Sequence, residues 1–200
     1  MSYDQLLKEC ISPFLKAHGY KKKAALYYST NSEGNVLVID FQKSRKSEKD
    51  RIEFTINVAV SSNRIATFCG TQAVPPCLDD CHWKTRIGHL LPEKQDKWWT
   101  IEPSTPLNEL CSTMKCLLEQ YAFKAIAENS SDQNLRDLWL SGNSPGLTNI
   151  QRLIYLSVLL KQIGSQEKLS AIIEEMKTIS RGKATEFTVD DHLLKLEKKG

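Results

Sequence analysis

The period of hydrophobic positions changes twice along the chain. Leu6, Leu7, Cys10, Ile11, Phe14 and Leu15 recur at helical spacing, Ser2 and Gln5 form a capping-box signature ahead of them, and Gly19 supplies a stop. This predicts an N-terminal helix, kinked or split near Ser12, because Pro13 lacks an amide hydrogen and crowds the preceding turn. The period then shortens to two. "AALYYST" is strand-like, and after the turn "NSEGN" come "VLVIDFQKS" and "RIEFTINVAV". The last run places Ile52, Phe54, Ile56, Val58 and Val60 on one face and Arg51, Glu53, Thr55 and Asn57 on the other, which predicts an antiparallel strand with one wet face. Short, turn-rich connections predict a meander of three or four strands with the first helix on its apolar side.

Helical spacing returns after Thr105 and Pro106, a favourable start, with Leu107, Leu110, Met114, Leu117, Leu118, Tyr121 and Phe123. Beyond the linker-like "SGNSPGLTN", helices are predicted over about 148–163, 165–181 and 188–199. Gly164 and Gly182 close the first two; Thr188, with Asp191 in a capping-box position, opens the third. The fold class is therefore α+β: an N-terminal helix packed on an antiparallel β-meander, then a helical C-terminal region. The expected division is an α+β domain over 1–140 and a helical extension over 141–200. Two helices separated by a glycine make an ordinary hairpin, so no internal repeat is assigned.

Composition narrows the setting. With 40% hydrophobic and 26% charged residues the chain lies in the globular range. No apolar run is long enough to span a bilayer, and charges interrupt the N-terminal apolar positions, so neither a membrane span nor a secretory signal is expected. That predicts a cytoplasmic protein, whose six cysteines would be reduced thiols. The net charge of +3 comes from both signs spread along the chain, which disfavours nucleic acid as a partner. Lys21 to Lys23 and "KSRKSEKDR" at 43–51 read as solvated loop charge, the second diluted by Glu48 and Asp50. The sequence carries no Gly-rich phosphate loop, and no cofactor is expected.

Chemistry concentrates in "CLDDCHWKTRIGHLL", residues 77–91. Cys77, Cys81 and His82, with Cys69 upstream and His89 downstream, have the ligand types of tetrahedral zinc, but they form one loose cluster without a second tight pair. The competing reading is thiols packed as small apolar groups. Cys81 beside His82, near Asp79 and Asp80, has the residue types of a nucleophile and its base; neighbours in an extended segment, however, point apart. No catalytic residue is assigned. The third reading is a recognition surface of His82, Trp83, Arg86 and His89 with Trp98 and Trp99, in which Trp83, Ile87 and Leu90 turn inward while Lys84, Arg86 and His89 face out. Its structural counterpart has a tryptophan closing the core, Arg86 paired with a carboxylate and His82 making one hydrogen bond.

Taken in order, "HGYKKK", "VIDFQKS", "FTINVAV", "CHWKTRIGHLL" and "DKWWTI" resemble the uncharacterised bacterial family known as domain of unknown function 4304 over roughly residues 1–130. The block from "HWKTRIG" to "DKWW" is the most specific part of the likeness. The resemblance implies a small intracellular bacterial α+β domain, attaches no reaction to it and carries over no catalytic residue. The leading functional expectation is a non-enzymatic module that binds another protein, neutralising or scaffolding it. The alternative is an enzyme or small-ligand domain with a site around His82, Arg86 and His89, walled by Glu53, Thr55 and Asn57. Oligomeric state is left open.

Overall fold

In the computed structural model, which describes residues 2–198, the first helical segment runs as α1 (Tyr3–Gln5), a π-helical stretch (Leu6–Ile11) and α2 (Ser12–Ala17). Ser2 caps it, its hydroxyl oxygen accepting from the Gln5 N–H at 3.1 Å. Pro13 does not split the helix. The Ser12 N–H reaches back to the Leu7 carbonyl, and this wide turn just ahead of the proline absorbs the mismatch.

The sheet has six antiparallel strands rather than three or four: β1 (Lys21–Lys23), β2 (Leu26–Thr30), β3 (Val36–Lys43), β4 (Ile52–Ser61), β5 (Trp83–Arg86) and β6 (Trp99–Ile101). Strands β1 to β5 lie in chain order, and β6 also pairs with β4. The unforeseen β1, β5 and β6 hold only 3, 4 and 3 residues, too few to carry a period. Lys21 to Lys23 are thus an exposed edge strand, not loop charge; lysine at an edge discourages pairing with other chains.

Phe54, Ile56, Val58 and Val60 are buried on one face of β4 and join Ile39, Phe41 and the N-terminal helix residues Leu6, Ile11 and Leu15 in the core. The opposite face is not wet where β4 crosses it, since Thr55, Asn57, Ala59 and Ser61 are all buried. Two returning segments cover it. Val36, Val38, Ala59 and Cys81 form a second cluster with Leu78 packed against it, and the Thr55 hydroxyl donates to the Lys97 carbonyl at 2.8 Å.

After β4 comes α3 (Asn63–Cys69), which has no clear sequence signal; Ser62 caps it. Then follow α4 (Leu107–Leu117), a π-helical turn (Leu118–Ala122), α5 (Phe123–Asn129), α6 (Asp132–Leu140), α7 (Asn149–Ile163), α8 (Gln166–Ser180) and α9 (Glu186–Lys198). Thr105 does not cap α4, because its hydroxyl oxygen accepts from the Glu102 N–H in the preceding turn. Thr148 and Gln151 form a full capping box on α7. The last helix begins at Glu186, before Thr188, and the Glu186 carboxylate accepts from the Gly182 N–H at 2.8 Å. One hydrophobic cluster runs from Leu6 through the sheet to Met114, Leu156, Met176 and Val189. No helix among the described residues is long and apolar enough to cross a membrane.

The cysteines need a correction. Cys10 and Cys111 form a disulfide between the π-helical stretch and α4, where packing brings their Cα atoms to 5.9 Å, within bonding range. Their sequence separation of 101 residues hides the pair from any spacing argument. Not all six are thiols.

A buried polar junction ties the sheet to the helices. Asp132, at the start of α6, accepts from the Ser62 hydroxyl at 2.6 Å and the Asn35 amide at 3.2 Å, and pairs with Arg64 at 3.0 Å. Its own N–H donates to Glu33 at 3.0 Å.

Candidate functional site

Residues 77–91 divide between two environments. Cys81 and His82 point inward. Burial pushes the Cys81 thiol up to about 12, so it is protonated near neutrality and is neither a nucleophile nor a ready metal ligand. Burial likewise pushes the His82 imidazole down to about 3. Its Nδ1 accepts from the Ser62 N–H at 2.9 Å, which leaves the ring proton on Nε2, and its ring stands edge-on to Tyr155 at 4.8 Å. Cys77 is exposed. Among the described residues no group of three or more His, Cys, Asp or Glu is arranged to hold a metal ion.

The other half of the segment builds a cleft of about 610 Å³. Trp83 and Ile87 are buried in the core, Lys84 and Arg86 are half-buried, and His89 is exposed. Arg86, Trp83 and His89 line the cleft with Asn57 at the back and Leu78, Leu90 and Pro145 as apolar wall. His82 is not in the lining, so the two histidines do not converge. Glu53 and Thr55 do not line it either; Asn57 alone of that polar face does. Its amide nitrogen is committed to Asp40 and Gln42, both at 3.0 Å, and so its carbonyl oxygen is what it offers the cleft.

Arg86 is held from two sides. Its Nη1 donates to Asp96 at 2.6 Å, and its guanidinium lies 5.2 Å from the centre of the Trp98 ring, whose indole N–H donates to the same carboxylate at 3.1 Å. Gly88 makes this possible. A β-carbon there would stand 2.2 Å from the Gln95 carbonyl oxygen, so only glycine lets residues 95–97 fold back and bring Asp96 to Arg86. Gly146, at φ +75°, also packs closely on Lys84, where a β-carbon would stand 2.6 Å from the carbonyl oxygen. Trp99 serves the core instead, its ring 5.9 Å from Phe54.

Sequence reasoning missed Asp96, Pro145 and Gly146. Asp96 sits in a plain charged loop, and Pro145–Gly146 reads as linker punctuation; only Gly88 beside the tryptophan-rich block hints at a close backbone approach.

A model of the family described as a domain of unknown function (DUF4304) matches residues 11–128, more than half of the chain. The chain belongs to this family. No curated protein and no solved structure matches it. The DUF4304 match covers β1 to β6, α3, α4 and all but the last residue of α5, and stops short of Asp132 and of Pro145 and Gly146. The cleft therefore combines a wall from the DUF4304 region with one from the turn between α6 and α7.

Proposed function

We propose that the protein is a non-enzymatic module that binds another protein through the cleft beside β5. One observation carries this reading: Trp83, Arg86 and His89 share a mostly apolar hollow whose arginine is fixed in place by Asp96 and Trp98. Apolar pockets with arginine and tryptophan at their edge are where interface energy concentrates. Among the described residues, no hydroxyl or thiol is hydrogen-bonded to His89, so the lining offers a recognition surface more readily than a nucleophile and base.

Photo-crosslinking tests it. A photoreactive amino acid at His89, in the cleft wall, should yield a discrete protein adduct in the native host, whereas the same group at Glu167, exposed on α8, should not. Adducts that are absent, or identical from the two positions, would contradict a partner in the cleft.

A further inference from the structure

Asn57 on β4 stands directly opposite Arg86 on β5 in the antiparallel register, so the two side chains share a face and lie side by side. On its other side Asn57 faces Asp40 of β3, whose carboxylate can only accept. That fixes the amide. Its nitrogen turns to Asp40 and Gln42, both at 3.0 Å, and its Oδ1 has no hydrogen-bond partner among the described residues. Asn57 is 5% exposed and lines the cleft, so this oxygen is a nearly sealed acceptor at the back of a hollow. Covering it without a donor is costly, and an occupant of the cleft must therefore bring one.

The neighbour sets the complementary demand. The Arg86 guanidinium donates to Asp96 at 2.6 Å and makes no other hydrogen bond among the described residues, so the residue beside Asn57 offers unspent N–H donors. Lys84, the other cation in the lining, is taken by Asp79 at 3.6 Å. An acceptor next to a donor suits a hydroxyl, which answers both with one oxygen. A carboxylate would set an acceptor against the Asn57 oxygen, a cation would meet Arg86, and an indole N–H could serve Asn57 but take nothing from Arg86. The rest of the hollow is apolar, walled by Leu78, Leu90 and Pro145, and its volume of about 610 Å³ holds a whole aromatic ring. An apolar ring ending in a hydroxyl is tyrosine, a residue enriched among interface anchors.

We infer that the partner anchors itself with a tyrosine, its ring between Leu78, Leu90 and Pro145 and its hydroxyl donating to Asn57 Oδ1 while accepting from Arg86. This rests on the protein-binding reading of the same cleft. The test is selection of random linear peptides on the immobilised full chain, followed by affinity measurement. Enriched peptides should share a tyrosine, and replacing it by phenylalanine should weaken binding roughly 10–100-fold. Asn57→Ala should erase that preference. On the unaltered chain, 4-methoxyphenylalanine, whose oxygen cannot donate, should bind as poorly as phenylalanine. Enriched peptides that lose affinity with Leu78→Glu but accept phenylalanine for tyrosine, or carry no tyrosine, would overturn the anchor and leave the protein-binding reading standing. If no peptide is enriched, if Leu78→Glu leaves the enriched ones unaffected, or if N-acetyltyrosinamide alone binds as tightly as they do, both readings fall.

Discussion

The polar junction at Ser62 and the cleft at β5 use the same residue types to opposite ends. Each has an arginine–aspartate pair and a histidine: Arg64, Asp132 and His82 in the junction, Arg86, Asp96 and His89 at the cleft. In the junction the Asp132 side chain is 3% exposed although its partner Arg64 is 50% exposed, and Ser62 binds both Asp132 and His82. At the cleft the two paired side chains are 36% and 43% exposed, and His89 faces solvent. Burial of the carboxylate, not chemical identity, separates the structural pair from the one available to a ligand. A charge sealed among its partners cannot be removed without stranding them, whereas a half-exposed pair contributes little to stability and can be re-paired.

The sharpest way to break this contrast is to delete each aspartate's role in turn. Asp132→Ala leaves the buried Ser62 hydroxyl and Asn35 amide, and the half-exposed Arg64, without their shared acceptor, and a loss of about 1–3 kcal/mol is expected in urea denaturation. A loss under about 1 kcal/mol would put the junction in the same class as the cleft. Reduction of Cys10–Cys111 is next. Opening a loop with a separation of 101 residues should lower stability by about 2–5 kcal/mol. Because the disulfide lies between the N-terminal helix and α4, partner binding in the cleft should not change while the chain remains folded.

Acid acts on the junction and the helices more gently. His82 and His192 are both buried neutral, His192 with its Nε2 2.7 Å from the Ser157 hydroxyl; burial depresses the first to about 3 and the second to about 4 from an ordinary 6.5. As pH falls below 6.5 the unfolded chain takes up protons that the folded chain refuses, so stability is full above 6.5 and declines from there toward 4 for His192 and toward 3 for His82. Denaturation midpoints measured across that window should fall, and His192→Gln should flatten part of the slope. A midpoint independent of pH between 6.5 and 4 would show that these rings are not held neutral.

What the sequence disclosed follows the same division. Long periodic segments announced themselves: the alternation from Ile52 to Val60 and the stripes in α4, α7 and α8 all emerged as core. Three things were illegible for physical reasons. Strands of three or four residues are too short for a period, Cys10 and Cys111 meet only because distant helices pack, and the supposed wet face of β4 is covered by the segments at residues 78–81 and at Lys97, the second of which approaches closely because residue 88 is glycine. Of the candidate residues, Trp83, Arg86 and His89 do share one cleft, with Trp98 beneath Arg86, while His82 lies in the interior and Trp99 packs on Phe54. Asp96, which fixes Arg86, has no signature that a linear reading would find.

The smallest structural effect is also the most telling. Arg86→Ala should move the thermal midpoint little, because a half-exposed pair is worth at most about 1 kcal/mol, and should weaken a protein partner bound in the cleft about tenfold. Midpoint and affinity measured on the same preparation test the central claim directly. An unmoved midpoint with lost affinity is the predicted result; a midpoint that drops as far as that of Asp132→Ala, or an affinity that does not change, would contradict it.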